Sequence, residues 1–426
     1  MTTKATRSFP SSVSFAGDIM KRVLIVGGGT GGTMLANHLD RHKFEVTVLS
    51  ASSEHMFQPS LLYVAFANAS ANIVRDERRL LSRHVRFVQD KATLVDLPNR
   101  VVATESSGRY AYDFIVLATG ADTVTSQIAG LDEINKRFGD YHSSVAQAQK
   151  LWRSLDAFQG GTIALGQATP ICVCPPSPVE GILLVDRLLR QKGLREKSRL
   201  VFFTPYPRPY PAEPMNEIIE PIMKERGIEI MTFFDVDRID PETRTIISIE
   251  GDSITYDLPI VIPAFIGAKI AFEPANVIDA DHFVITDKET LHVKGFNNAF
   301  AIGDGTNIPT SKAGIAAHLE SYVVAKQLAG KPATFDGRTN CPVDLADGRG
   351  TFVIGSFTAP VVKKRPSRMA HLMKIMMGYF YWISLSGILD PMFEVYFAMT
   401  KPKPRPELSS AKVRQTKVTP RGASRE

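Results

Sequence analysis

The sequence predicts an α/β fold with two Rossmann-like domains built on parallel sheets, followed by an amphipathic helical segment near the C-terminus. Three observations carry this expectation. An apolar run, Val23-Leu24-Ile25-Val26, leads straight into Gly27-Gly28-Gly29-Thr30-Gly31-Gly32. A second strand-like run, Gly161-Thr162-Ile163-Ala164-Leu165-Gly166, opens the middle of the chain. Residues 375–389 then hold fifteen positions without a charge.

Length and composition bound the rest. A chain of 426 residues suggests roughly three folding units at about 150 residues each. The 44% hydrophobic and 22% charged residues are an ordinary globular balance and argue against extended disorder. Fifty basic against forty-four acidic side chains leave +6, and the last 26 residues hold eight basic and two acidic groups, which is the whole excess. Nucleic-acid binding is announced by basic patches on folded domains. Charge confined to a Pro-rich tail argues against that partner. Three cysteines make no disulfide framework and fit a reducing compartment or a dedicated redox site. Residues 1–20 are polar and lack the apolar core, about 7–15 residues long, of a cleavable signal, so a flexible leader is expected. No run of about 18 apolar residues is present, so no ordinary membrane-spanning helix is expected.

The first unit opens at Lys21. Its uninterrupted Val/Leu/Ile run suits a parallel strand buried on both faces. A helix to about Arg41 and a strand from Glu45 to Leu49 complete a βαβ unit. The turn carries G-x-G-x-x-G at Gly27, Gly29 and Gly32. Glycines there permit a tight turn and close backbone approach to a pyrophosphate at the helix N-terminus, so the unit reads as dinucleotide-binding. The acidic residue that usually follows the second strand is missing; Ser50 or Glu54 stands in its place. Further on, residues 113–121 read as a strand entering the turn Ala118-Thr119-Gly120, and residues 298–305 as a strand ending in Gly303-Asp304.

The middle segment starts as a second nucleotide domain, but the expected glycine loop is replaced by Gln167-Ala168-Thr169-Pro170-Ile171-Cys172-Val173-Cys174-Pro175-Pro176. Bulky and Pro-rich, it is a poor phosphate cradle. A helix is expected from about Glu180 to Lys192. Cys172 and Cys174 lie in this turn, and Cys341 is 167 residues beyond the second of them. Free cysteines often serve as small buried hydrophobes, yet Cys174 stands where a second substrate would approach a bound dinucleotide.

The three dinucleotide-type pieces, in this order, resemble the two-dinucleotide-domain flavoproteins. The resemblance implies FAD, with its pyrophosphate on the first glycine motif, the Thr119-Gly120 turn beside the flavin, and Asp304 after Gly303 accepting a hydrogen bond from the ribityl chain. It also implies a domain plan: a leader over 1–20, an FAD domain over 21–160 with 291–335, a second Rossmann-like domain over 161–290, a docking region over 336–400 and a basic tail over 401–426.

A sharper likeness follows from Cys174-Pro175-Pro176-Ser177-Pro178-Val179-Glu180, from Thr310-Ser311-Lys312-Ala313-Gly314, and from Gly330-Lys331-Pro332-Ala333 followed by Cys341. These resemble segments of the sulfide:quinone oxidoreductase and flavocytochrome c sulfide dehydrogenase group, over about Lys21 to Thr400. The resemblance implies that Cys174 and Cys341 form the redox pair. Hydrosulfide would attack one sulfur of the oxidised pair, leave a persulfide and free the other as a thiolate, and two electrons would pass to FAD. Lys312 would stabilise negative charge on reduced flavin. Glu180 would relay protons or, more simply, favour the helix start.

This chain departs from the pattern at two places. Many quinone-reducing members carry a third cysteine upstream of the middle one, whereas residues 122–144 hold only Ser126, Ser143 and Ser144; Cys172 is a spare thiol or takes over sulfur-chain handling. The flavocytochrome branch tethers flavin through a cysteine where this chain has His55-Met56-Phe57-Gln58-Pro59, so FAD is expected to be non-covalent.

Residues 375–389 are too short to span a bilayer but suit an interfacial helix. Pro391 breaks the pattern and 392–399 add a second apolar-aromatic stretch. Lys363, Lys364, Arg365, Arg368 and Lys374 before it, and Lys401, Lys403 and Arg405 after it, suit anionic headgroups. The chain therefore reads as a peripheral protein of the cell membrane that passes electrons to membrane quinone, with Phe352, Phe357, Tyr379 and Phe380 as candidate quinone contacts. The same apolar faces suit a homo-oligomer in the membrane plane. The rival readings are a type II NADH:quinone dehydrogenase, which would need a second glycine motif, and a flavin-binding protein without turnover.

Overall fold

In the computed structural model, residues 20–171 and 173–402 are described. Cys172, the leader up to residue 19 and the tail from residue 403, with Lys403 and Arg405, lie outside the described residues.

Five parallel strands form the first sheet, in the spatial order Ala299–Ala301, Phe114–Leu117, Lys21–Val26, Phe44–Ser50, Arg86–Gln89. Lys21–Val26 lies at the centre, which is why its apolar run is continuous. Val23 and Ile25 enter one core with Leu35 of the Thr30–His38 helix, and Leu24 and Val26 enter another with Val95 and Val102 of the inserted strands Ala92–Asp96 and Val101–Thr104. The Thr30–His38 helix ends earlier than the sequence suggests, because Leu39 is extended.

The second sheet runs Glu229–Met231, Ser198–Phe203, Gly161–Gln167, Leu258–Ile262, all parallel. The helix Ser177–Gln191 packs on it and is buried along most of its length, with Val179, Ile182, Leu183 and Val185 at its core. An antiparallel pair, Ala121–Val124 with Ala264–Gly267, joins the two units.

After Ala299–Ala301 the chain makes the helix Gly314–Leu328, which lies against Thr30–His38. A hairpin follows, Thr339–Asp344 with Gly350–Gly355, pairing Cys341 with Val353 and Pro342 with Phe352. Its Val343, Leu345 and Val353 join the core of the second unit. The helices Arg368–Ser384 and Asp390–Met399 complete the described fold. Ser367 caps the first by accepting the Ala370 amide, so it begins well before the uncharged stretch. Pro391 stands in the first turn of the second helix, where a missing N–H costs nothing; Gly387, at φ +78°, makes the actual bend. Among the described residues no helix is long and apolar enough to cross a membrane.

Candidate active site

The glycine loop has a shape only glycine permits at two positions. Gly27 sits at φ +113°, and a Cβ there would lie 2.1 Å from the Ala118 carbonyl oxygen. A Cβ on Gly32 would meet the Gly27 carbonyl oxygen at 2.0 Å. Gly29, just before the helix, faces open space. The other motifs close on the same spot: Gly31 packs against Ile302, and Gly305 lies against Thr119 Oγ1 and the Gly120 carbonyl, each 2.9 Å from its Cβ position. Three segments distant in sequence therefore surround a helix N-terminus with free approach for a pyrophosphate.

Ser50 reaches this loop, with Oγ 3.3 Å from the Cβ position of Gly28. Glu54 is exposed. The buried carboxylate here is Glu77, which the sequence did not single out because it sits in an arginine-rich run. It accepts from Thr33 Oγ1 at 2.5 Å and pairs with His55 Nδ1 at 2.6 Å.

Asp304, next to Gly305 at the Gly120 turn, is half-buried; desolvation pushes its carboxyl above the usual range while Lys312 pulls it down. Lys312 is not the solvated surface lysine that a charge in this loop would suggest. Its ammonium donates to the Asp304 and Thr306 carbonyls, at 3.0 and 2.5 Å, and stands 4.2 Å from the Phe283 ring centroid. Desolvation lowers its pKa, and Asp304 and Glu320 oppose that. Glu320, unnoticed in the sequence, accepts the Gly303 amide at 2.6 Å, and burial pushes its carboxyl up to about 7. Cradle, open helix end and the half-buried Asp304 carboxylate fit FAD.

The two described cysteines meet at the Ser311-Lys312 segment. Cys174 holds a left-handed backbone at φ +70°. Its amide donates to the Lys312 carbonyl at 3.0 Å, and its carbonyl accepts from Ser177 N at 2.9 Å. Cys341, half-buried in its strand, is hydrogen-bonded by the Ser311 side chain. Neither is in a disulfide. The Lys374 ammonium acts electrostatically on both sulfurs. Burial pushes the Cys341 thiol up to about 11, with Lys374 pulling it down and Glu180 pushing it further up.

Two sequence expectations are corrected here. Lys374 is not part of an exposed basic flank: it lies within the Arg368–Ser384 helix, its side chain is 6% exposed and it bonds Glu180 at 2.9 Å. Glu180 is not chiefly a helix-start charge. It is 1% exposed, pairs with Lys374 and accepts the Asp344 amide at 2.6 Å. Asp344 continues the network to Tyr63 OH at 3.0 Å and His371 Nδ1 at 3.2 Å. A carboxylate and an ammonium in an apolar interior need each other, but nothing in a linear sequence pairs positions 180 and 374. In the cysteine-free segment, His142 Nε2 lies 3.0 Å from Ser177 Oγ, and burial holds its pKa down at about 4.

The candidate quinone aromatics occupy different places. Phe352 is half-buried in the hairpin opposite Pro342. Phe357 packs edge-on to Phe335 at 5.7 Å and against Gly337 in the core of the first unit. Tyr379 and Phe380 are 70% and 40% exposed on the Arg368–Ser384 helix. Tyr381, the next residue, turns inward: its hydroxyl lies 2.7 Å from Thr30 Oγ1 and 2.5 Å from His55 Nε2.

Residues 21–328 match the pyridine nucleotide-disulphide oxidoreductase family, and the chain belongs to it. It is an FAD-binding oxidoreductase. Among curated proteins it is similar to the mitochondrial sulfide:quinone oxidoreductase of Dictyostelium discoideum, at 27% identity over 342 residues, covering 76% of this chain and 75% of that one. The mitochondrial sulfide:quinone oxidoreductase of Mus musculus is 26% identical over 387 residues, covering 84% and 85%. The fold is similar to that solved for the sulfide:quinone oxidoreductase of Aquifex aeolicus, with a TM-score of 0.76 at 22% identity, over 90% of this chain and 96% of the other.

Proposed function

We propose that this chain is a sulfide:quinone oxidoreductase, using Cys174 and Cys341 as its redox pair and membrane quinone as electron acceptor. The observation that carries the reading is the convergence of both cysteines on Ser311-Lys312 under the field of Lys374.

In the oxidised protein the pair is joined by a disulfide or a sulfur bridge. Hydrosulfide attacks one sulfur; a new S–S bond forms, the bond within the pair breaks, and its electron pair leaves on the second cysteine as a thiolate. A thiol that burial raises to about 11 is a poor leaving group by itself. The Lys374 ammonium offsets that by stabilising the departing thiolate, and Glu180 keeps Lys374 charged and aimed. FAD, when bound at the glycine cradle, would supply a two-electron acceptor between the thiolate and quinone. Lys312 adds positive charge beside Asp304, favouring electron density there. With two electrons withdrawn to the flavin in each cycle, the persulfide and the second cysteine sulfur would rejoin as a bridge one sulfur longer, which the next hydrosulfide opens, so that the chain grows to polysulfide or elemental sulfur. Non-covalent FAD is consistent with His55, whose ring nitrogens are engaged by Glu77 and Tyr381.

Peripheral docking on the cell membrane is supported by the outer face of the last two helices. Met369, Tyr379, Ile383, Met392, Val395 and Met399 are 47–82% exposed, large apolar and aromatic side chains of the kind interfacial helices bury.

Anaerobic mixing of the purified protein with sulfide, and separately with NADH, tests the reading through flavin absorbance. Bleaching by sulfide, reversed by a short-chain quinone and absent in Cys174→Ser and Cys341→Ser, is expected. Bleaching by NADH instead would overturn it in favour of an NADH:quinone dehydrogenase.

A further inference from the structure

The basic rim expected around the apolar helices loses one member, Lys374, to the interior, and the fold supplies another set from a distant part of the sequence. Arg75, Arg79 and Arg83 are exposed and belong to the segment that follows the first apolar helix of the chain, Leu61–Ala67. Two contacts fix this segment to the C-terminal helices. The Arg75 guanidinium carbon lies 4.3 Å from the centroid of the Trp382 ring. Asn37 donates to the carbonyls of Leu80 and Leu385, at 2.9 and 2.7 Å, and accepts the Ser82 amide at 2.7 Å, stapling the basic segment to the bend between the helices.

Three nearby carboxylates are already committed, and Glu54, exposed on the strand paired with Val74–Asp76, makes no ion pair with these arginines. Asp76 pairs with Arg78 at 3.3 Å, Glu77 with His55, and Asp390 with His38 and the Tyr322 hydroxyl. Among the described residues, no carboxylate lies within ion-pair distance of Arg75, Arg79 or Arg83. Arg75 and Arg79, with Asn72, Asp76 and Leu80, line a cavity of about 480 Å³, large enough for a phosphate-bearing headgroup. Planar guanidinium groups suit bidentate phosphate contacts, and an indole under Arg75 suits the headgroup depth.

We propose that Arg75, Arg79 and Arg83 form a headgroup-binding rim selective for anionic phospholipid, set beside the apolar helices by Asn37 and Trp382. This deepens the membrane-docking reading above and rests on it. The rim would hold the protein by charge at the bilayer surface while the helices bury their apolar face, fixing its orientation as well as its affinity.

The test is vesicle flotation of the full chain with phosphatidylcholine alone and with a 3:1 mixture of phosphatidylcholine and phosphatidylglycerol. Each basic side chain near an anionic surface contributes roughly fivefold in affinity, so an Arg75→Gln/Arg79→Gln/Arg83→Gln variant should lose about a hundredfold on the mixed vesicles. Its binding to pure phosphatidylcholine should equal that of the unaltered protein. Arg79→Glu, with unchanged flavin absorbance and circular dichroism, should weaken mixed-vesicle binding in the same direction. A Met392→Glu/Val395→Glu variant should lose binding to both vesicles. If the arginine variants bind mixed vesicles as the unaltered protein does, the rim is overturned and the membrane reading stands. If the unaltered protein floats with neither vesicle, both fall.

Discussion

Replacing Lys374 by Met would test the link between the buried ion pair and the thiol chemistry. The side chains of Lys374 and Glu180 are 6% and 1% exposed and 2.9 Å apart. Removing one partner of such a pair costs about 3–5 kcal/mol, because the other charge is left buried alone. Methionine fills most of the lysine volume, so the loss is electrostatic rather than a cavity. Glu180, already pushed upward by burial, loses its strongest downward influence and takes up a proton. Cys341 loses the Lys374 field, which outweighs the opposing push of Glu180; its thiol should rise above about 11, where it now stands. One unit of that rise is about 1.4 kcal/mol, or tenfold less thiolate at a fixed alkaline pH. The assay pairs denaturant unfolding with alkylation of Cys341, followed by peptide mass spectrometry from pH 8 upward. Expected is a stability loss of about 3–5 kcal/mol, recovered to within roughly 1 kcal/mol in Lys374→Met/Glu180→Gln, and an alkylation profile displaced to higher pH. A loss below about 1 kcal/mol with an unmoved or lowered profile would refute the argument.

Gly32→Ala should give a protein that does not retain flavin, because its Cβ would stand 2.0 Å from the Gly27 carbonyl, a backbone atom that cannot swing away; the flavin-to-protein absorbance ratio reads this directly. Glu320 should make stability pH-dependent. Its folded value, about 7, is above the 4.5 of a free glutamate, so its stabilising contribution is complete below pH 4.5 and is lost as pH rises through 7. Unfolding free energy should fall by roughly 2–4 kcal/mol across that window, and Glu320→Gln, which keeps an acceptor for the Gly303 amide, should flatten the change. A slope that survives in the variant would assign it elsewhere.

The dinucleotide unit was legible because its constraints are local. A continuous Val/Leu/Ile run marks a strand covered on both faces, and Gly27 and Gly32 are required by backbone atoms a few residues away or on the adjacent strand. The replacement of a second phosphate loop by Cys174-Pro175-Pro176 was likewise visible, since a missing glycine motif is a property of consecutive residues. The apolar stretch after Lys374 announced surface helices by composition alone, though not where the first begins, which depends on the Ser367 cap.

Other features depend on long-range packing. Lys374 looked like one more cation in a basic flank, and Glu180 like a helix-start charge. Only folding brings the Arg368–Ser384 helix across the Ser177–Gln191 helix, so that the pair shares the apolar interior beside both thiols. Glu320 beneath Gly303 and Arg75 beside Trp382 are joined in the same way. The sequence by itself determined the units whose residues constrain their own neighbours: strand, glycine turn, amphipathic helix. The tertiary structure alone decided which charges are buried and what each one faces, because desolvation and Coulomb attraction depend on distance in space and not on separation along the chain.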